Sequence, residues 1–399
     1  MLSHLSFNRT EFAGSLGDLG TLLPLAAGLI VINQLDPTGI FFTIGLFYIL
    51  TGLYFRVTCP VEPMKVISGY AIAMSLSAVQ IQASCFWVFV ILLVFGLTGL
   101  IDVITRFISK AVIRGIQLTT GILLLTQGVH LMLGSSKLQL VQGTAEPYLQ
   151  VQSIGYLPIG MLLGLGLGLL CLVLLDNKRL PAAVVVIGAG MLIGLLAGSR
   201  QGWEDLTVGL NLPALLPYGL PTAADFSFAL IILILPQIPM TIANAVIANA
   251  DLSSQYFGNK SSRVTHRGLC ISMALANATS FFLAGIPLCH GAGGLASRYR
   301  FGARTGGSNL IIGTIFLLIA IIFGRHTLIL VHLLPLSVLG VLLVFAGIQL
   351  GLTVIDMHTR KEFFVILLIV GITLAANLAA GFVVGILIDR LLSRDCFSI

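Results

Sequence analysis

The sequence contains few charged residues. Asp, Glu, Lys and Arg together make up 9% of its 399 residues, whereas soluble domains carry roughly 25%. This scarcity excludes a protein whose whole surface faces water, because 57% of the residues are apolar and the mean hydropathy is +1.05. The surplus apolar surface must face lipid, so the composition predicts an integral membrane protein that crosses the bilayer many times.

Motifs of catalysis and of metal binding are also missing. The six cysteines form no CxxC pair and the seven histidines form no ligand cluster, so neither a disulfide framework nor a zinc site is predicted. The chain has no HExxH, nucleophile elbow, Walker loop or pair of intramembrane aspartates. We therefore expect no enzyme activity, no cofactor and no metal. The polar, mixed N-terminus does not resemble a cleaved signal peptide.

Apolar runs separated by charges, prolines and glycines predict fourteen transmembrane segments. Two of these segments, 63–78 and 290–299, are too short to cross a bilayer alone, and the last two form one apolar stretch. A count of twelve stays open. The predicted segments are 12–32, 39–55, 63–78, 83–104, 110–131, 156–175, 180–198, 225–247, 264–284, 290–299, 306–323, 327–350, 362–377 and 378–390.

Basic residues are distributed unevenly between these segments. With the N-terminus inside, seventeen of the 21 Lys and Arg residues fall on the cytoplasmic side, and only Lys137, Arg200 and Arg325 fall outside. Lys65 lies within a segment. Cytoplasmic loops are enriched in Lys and Arg, so we predict an even number of spans in the cell membrane with both termini cytoplasmic.

The two halves of the chain carry similar interruptions. Asp18 precedes Pro63 by 45 residues, and Gln237 precedes Cys289 by 52. In each half a polar residue inside an apolar helix is followed by a break that opens a short helix. Seven spans per half is an odd number, so the second copy would be inverted. The sequence predicts an all-α fold of two inverted seven-helix repeats, 1–200 and 225–390.

The two breaks are candidate halves of one anion site. Helices that begin at membrane depth present unpaired N–H groups with partial positive charge, and glycine allows close approach to the backbone. The ammonium of Lys65 would add a full charge. Helix kinks and close helix packing are the alternative explanations. The residues expected at the site are Pro63, Met64, Lys65, Cys289, His290, Gly291, Ala292 and Gly293.

Two acidic residues near the breaks are candidate proton carriers. Asp18 lies within the first apolar segment, where a carboxylate must be paired or protonated, although a helix cap or a salt bridge would explain it equally. Glu62 would either carry a proton or pair with Lys65 three residues later. The uncharged residues expected to complete the substrate site, with interhelical hydrogen bonding as the alternative, are Gly17, Thr21, Gln237, Thr241 and Asn244.

Several of these motifs resemble the molybdate transporter branch of the sulfate permease (SulP) superfamily, over nearly the whole chain. The most specific is the stretch from Cys289 to Ala296, which continues into Tyr299 to Arg304. The others are Gly17 to Thr21, Pro60 to Lys65, Arg114 to Leu118 and Pro236 to Pro239.

The resemblance implies a fold shared with uracil permeases, in which a core domain (segments 1–4 and 8–11) moves against a gate domain (segments 5–7 and 12–14). Substrate would lie between the third and tenth segments, flanked by the first and eighth. Two departures are notable: Glu62 stands where the family more often has Gln, and only ten residues follow Asp389, so we expect no regulatory STAS domain.

The sequence therefore predicts a secondary active transporter for a tetrahedral oxyanion, with molybdate ahead of sulfate and tungstate. Proton symport is the expected energy source, because no nucleotide site exists. The expected partners are the oxyanion, protons and membrane lipid, without nucleic acid; a homodimer is left open. The alternatives are a nucleobase permease of the same fold and a passive anion channel.

Overall fold

A computed structural model describes residues 5–100, 109–175, 177, 180–197 and 209–393 of the chain. Most of these residues are helical, as expected for a chain whose backbone polar groups must be satisfied without water. Some positions used in the topology argument lie outside the described residues: 101–104 of the predicted segment 83–104, and Arg106, Lys178, Arg179, Arg200 and Arg394.

Nine helices make up the described first half. They are α1 (Arg9–Ser15), α2 (Leu19–Val31), α3 (Pro37–Phe55), α4 (Lys65–Met74), α5 (Ala78–Thr98), α6 (Lys110–Met132), α7 (Lys137–Gln142), α8 (Ile159–Leu174) and α9 (Ala182–Leu196).

The second half begins with one long helical stretch, α10 (Ala223–Ser261), which contains two π-helical parts, Ala229–Ile234 and Thr241–Ile247. The helices that follow are α11 (His266–Phe282), α12 (Ala292–Arg300), α13 (Gly307–Phe323), α14 (Thr327–His332), α15 (Leu336–Gly351), α16 (Arg360–Ala375) and α17 (Leu378–Leu392). The short strands are β1 (Glu62–Pro63), β2 (Ser153–Ile154), β3 (Leu157–Pro158) and β4 (Leu288–Cys289).

Six helices of the described chain are long and apolar enough to span a membrane, and a seventh results if the bent pair α1 and α2 counts as one. The helices α4, α8 and α9 are apolar but shorter. The protein is thus an integral membrane protein, while the count of fourteen spans stays a prediction.

Two predicted segments are broken. The segment 12–32 is interrupted between α1 and α2, which meet at 41°. The segment 327–350 is wrong as a single helix, because α14 ends at His332 and α15 begins after Pro335. Proline lacks an N–H group and disfavours helical geometry in the residue before it, so the helix restarts there.

Close helix packing depends on glycine where α6 crosses α15. A Cβ on Gly128 would lie 2.5 Å from the carbonyl oxygen of Gly340, and a Cβ on Gly340 would lie 2.5 Å from that of Gly128. The two backbones therefore touch directly, which is a common way for membrane helices to associate without a hydrophobic driving force.

Candidate anion-binding site

The two breaks in the chain meet in a small antiparallel sheet. Strand β1 pairs with β4, with Glu62 opposite Cys289 and Pro63 opposite Leu288. The N–H of Met64 donates to the carbonyl of Pro287 at 2.8 Å. Helix α4 begins directly after β1, and α12 begins three residues after β4. The sheet therefore places the first turns of two short helices side by side.

The first turn of α4 is capped by a neutral side chain. Oε1 of Gln237 accepts hydrogen bonds from the N–H groups of Val66 and Ile67, both at 3.1 Å. The amide nitrogen of Gln237 in turn donates to Oγ1 of Thr241 at 2.9 Å. Two of the free N–H groups that a helix start would offer to an anion are thus already satisfied.

The first turn of α12 has no such cap. Its N-cap residue is Gly291, and no side chain among the described residues caps the turn. Gly293 is exposed, and a Cβ placed on it would meet nothing nearer than Nζ of Lys65, at 3.8 Å. A helix start that is uncapped, built from glycine and open on one side is the kind of surface to which anions bind.

The carboxylate of Glu62 lies against this turn of α12. A Cβ on Gly291 would lie 2.2 Å from its Oε2, and a Cβ on Gly294 would lie 2.5 Å from its Oε1. The side chain of Glu62 is fully buried, and Nζ of Lys65 lies 3.2 Å from Oε2. Apart from this ion pair, neither carboxylate oxygen has a hydrogen-bond partner among the described residues.

A cavity of about 380 Å³ leads to Lys65. The Lys65 side chain is 15% exposed, so its ammonium is reachable from the cavity although its partner Glu62 is not. One wall comes from α15, through Phe345 and Gln349. The wall on the side of α2 and α12 is lined by Gly17, Asp18, Thr21, Lys65, Gly293 and Ser297.

A second ion pair lies behind this wall. Asp18 accepts from Nη1 of Arg298 at 3.1 Å and from the hydroxyl of Tyr48 at 2.6 Å. Both charged side chains are completely buried. All five N–H donors of the guanidinium have an acceptor: beyond Asp18, these are the carbonyl of Ser15 and the side chains of Thr58, Ser308 and Asn309. This pair is saturated, which favours a structural role for Asp18.

His290 is held away from the cavity. Its Nδ1 lies 2.7 Å from the carbonyl of Pro60, its Nε2 lies 3.1 Å from Oγ of Ser272, and its ring stacks on Phe47. Both ring nitrogens are therefore engaged by the protein. Gln237 and Thr241 also lie outside the cavity lining, and Asn244 approaches Gly291 from behind, 3.3 Å from a Cβ placed there.

The structure thus brings together Lys65, Glu62, Gly291, Ala292 and Gly293, with Gly17, Asp18 and Thr21 on the adjoining wall. The backbone pairing that joins the two breaks involves Pro63, Met64 and Cys289. In the part of the chain that the structure describes, no three His, Cys, Asp or Glu side chains are close enough to hold a metal.

Sequence reasoning missed Arg298, which it counted among the cytoplasmic residues. The structure buries this side chain completely, so it does not belong in the topology count. A signal was available: Arg298 lies only six residues into a helix that was predicted to start at membrane depth. A charge so placed needs a partner.

The fold has counterparts among solved membrane proteins. The described fold is similar to the transmembrane domain of the cyanobacterial bicarbonate transporter BicA (TM-score 0.64, 17% identity, 97% of each chain covered). It is also similar to murine Slc26a9, an anion transporter solved in its inward-facing state (TM-score 0.69, 13% identity, 97% of this chain and 68% of that chain). At such low identity these likenesses establish the fold alone.

The family follows from the sequence comparisons. A family model described as "Molybdate transporter of MFS superfamily" matches residues 10–124 and 229–350, more than half of the chain. The chain therefore belongs to this molybdate transporter family. It is also 29% identical to molybdate transporter 2 of Arabidopsis thaliana, covering 98% of this chain and 89% of the relative. Members of this family are transporters and not enzymes.

Proposed function

We propose that this protein takes up a tetrahedral oxyanion, with molybdate as the first candidate and sulfate or tungstate behind it. The observation that carries the proposal is the cavity that ends at Lys65 and at the uncapped, glycine-built start of α12. A full positive charge beside free helix amides suits a compact dianion. The family and the relative in Arabidopsis thaliana, both named for molybdate, support the choice of substrate.

The architecture that we propose is the one expected from the sequence. Two inverted seven-helix repeats, 1–200 and 225–390, would form a core (segments 1–4 and 8–11) and a gate (segments 5–7 and 12–14), in the cell membrane with both termini cytoplasmic. The antiparallel pairing of β1 with β4 supports this, because it joins equivalent breaks of the two halves. Alternating access would then come from movement of the core past the gate. A homodimer is compatible with it.

Binding of the dianion would displace the carboxylate of Glu62. That carboxylate now lies against the first turn of α12, and it is paired with the ammonium of Lys65. An oxyanion cannot take both partners while a negative charge remains beside them, since like charges at this distance repel strongly at low dielectric. A proton on Glu62 would remove that charge and release Lys65 for the substrate.

Proton symport follows from this exchange. Moving two negative charges into a cell costs about 4.6 kcal/mol for every 100 mV of inside-negative potential. Each proton carried inward offsets half of this electrical cost. Glu62 is the better carrier of the two candidates, because Asp18 is saturated by Arg298 and Tyr48. The charged and titratable groups near Glu62 are Lys65, the thiol of Cys289 and the more distant pair of Asp18 and Arg298.

Transport by purified protein in liposomes tests the proposal. We expect saturable uptake of labelled molybdate that is stimulated several-fold by an inward proton gradient and competed by tungstate and sulfate. Uracil serves as the control for a nucleobase permease. Uptake that rises linearly with concentration would indicate a channel, and uptake that is unchanged when the gradient is collapsed would rule out proton coupling.

A further inference from the structure

A second polar cavity, of about 650 Å³, lies between the end of α3, the end of α10 and the loop after α12. Four basic residues line it: Arg56, Lys260, Arg263 and Arg304. Within the described ranges, no Asp or Glu is among its lining residues. Four positive charges around one concave space, without a carboxylate between them, are a binding surface for a multiply charged anion.

Two of the guanidinium groups are held in place by neighbouring groups. Arg263 donates to the carbonyl of Tyr54 at 3.1 Å. Arg304 lies over the ring of Tyr299, 3.6 Å from its centre, and donates to the carbonyls of Tyr299 and Ala303. Such groups lose little freedom when a ligand binds, so more of the contact energy appears as affinity.

The backbone at Arg56 gives an independent indication. This residue ends α3 with φ of 64°, in the left-handed conformation that glycine adopts most easily. An L side chain there costs roughly 1–2 kcal/mol. The position is fixed by a hydrogen bond from the N–H of Gly306 to the carbonyl of Arg56 at 3.0 Å. Arg56 thus carries a long cationic side chain in a backbone conformation that favours glycine, which has no side chain.

Enrichment of basic residues in cytoplasmic loops does not account for this arrangement. That enrichment requires only charge near the membrane, and not charges gathered around one cavity. The buried carboxylate of Glu11 lies beside the cavity wall, where it accepts from the backbone N–H groups of Arg304 and Thr305 at 3.2 and 2.9 Å. It therefore does not hold the guanidinium groups as a partner.

We propose that this basic cavity binds a phosphate group, either of an anionic lipid headgroup or of free inorganic phosphate. Arginine forks bind phosphate oxygens in pairs, and a cavity of this size holds a headgroup. Tyr256, which lines the cavity, stacks on Tyr299 of α12 with 3.9 Å between the ring centres. The occupant of the cavity would therefore lie one side chain away from the C-terminal end of the same short helix whose first turn faces Lys65.

The test uses the full chain in nanodiscs of neutral phosphatidylcholine. A short-chain phosphatidylinositol phosphate is titrated in one arm and inorganic phosphate in the other, with bound ligand counted by native mass spectrometry and thermal stability measured in parallel. The variants are Arg56→Gly and Lys260→Gln. Arg56→Gly removes the charge and supplies the residue that this backbone conformation favours. We therefore expect the thermal stability of this variant to equal or exceed that of the wild type. Arg360→Gln, an exposed basic residue at the start of α16, is the matched control.

We expect at least tenfold weaker binding in both cavity variants and unchanged binding in the control. Saturation by the lipid alone would identify a headgroup site, and equal saturation by inorganic phosphate would identify a free anion. The proposal is overturned if the cavity variants bind like the wild type, or if the control loses binding as much as they do. Molybdate uptake is not part of the readout, so the result is independent of the proposed transport function.

Discussion

The two ion pairs of the candidate site have the same charges but different surroundings. Asp18 and Arg298 are both fully buried, and every donor of the guanidinium has an acceptor. Glu62 has Lys65 as its one charged partner, and Lys65 reaches the cavity. A saturated pair fixes the positions of helices, whereas an unsaturated pair beside a cavity can exchange its partner. The comparison leads us to propose a structural role for the first pair and a functional role for the second.

The largest effect is expected from breaking the saturated pair. Arg298→Met would leave the Asp18 carboxylate buried without its counter-charge, and should lower the free energy of unfolding by about 3–5 kcal/mol. Thermal unfolding of the detergent-purified protein measures this. The double variant Asp18→Asn with Arg298→Met should recover part of the loss, because no charge is then left unpaired. If the double variant is no more stable than Arg298→Met, the unpaired charge of Asp18 is not the cause of the lost stability.

Replacing the lysine of the second pair should weaken binding and also lower stability, because it leaves the buried Glu62 carboxylate without its counter-charge. Lys65→Ala removes the positive charge beside the first turn of α12, at a cavity that Arg300 also lines, and loss of one partner of a buried charge pair costs about 2–5 kcal/mol. We expect molybdate binding to weaken about 100-fold while the unfolding temperature changes by a few degrees. Isothermal titration measures the affinity, with Lys65→Arg as the control that keeps the charge. Undiminished affinity in Lys65→Ala would remove Lys65 from the site.

Replacing the acid of the second pair should change the dependence on pH. In the wild type, we expect binding to weaken as pH rises, because the ionised Glu62 would compete with the anion for Lys65. In Glu62→Gln this competition is absent, so affinity at neutral pH should rise about tenfold and become nearly independent of pH. Uptake should then no longer respond to a proton gradient. A wild-type pH profile in Glu62→Gln would contradict the displacement mechanism.

The smallest effects are expected from two neighbouring glycines. A Cβ on Gly294 would meet Oε1 of Glu62 at 2.5 Å, whereas a Cβ on Gly293 would meet only Nζ of Lys65, at 3.8 Å. Gly294→Ala should therefore destabilise the protein by about 1–3 kcal/mol. Gly293→Ala should fold normally and weaken molybdate binding only a few-fold by crowding the cavity. Equal stability of the two variants would show that Glu62 does not pack against α12.

The sequence predicted the local features of the site well. Breaks before Lys65 and Ala292 were visible as proline and glycine at membrane depth, and the Glu62–Lys65 pair was visible as an i, i+3 spacing. These features depend on neighbours in the chain. The helix starts were predicted at 63 and 290, and the structure has them at Lys65 and Ala292.

Features that depend on distant parts of the chain were not predicted. Arg298 pairs with Asp18 across 280 residues, and Gln237 caps α4 across 171 and 170 residues. Neither contact leaves a periodic pattern, since a single side chain carries each. The role of Gln237 was predicted as substrate binding, and that stays untested. Its observed contacts are with the backbone of α4 and with Thr241.

The small sheet of β1 and β4 also has a consequence for synthesis of the protein. Cys289 follows Pro63 by 226 residues, and a ribosome that adds about 5–20 residues per second needs roughly 10–45 s to make the intervening chain. During that interval the backbone groups of β1 lack their pairing strand, and the Glu62–Lys65 pair lacks the helix α12 that packs against it. Water, lipid headgroups or an insertion chaperone must satisfy these groups in the meantime. We therefore expect the slow step of biogenesis to be the synthesis and insertion of the second break, which contains β4.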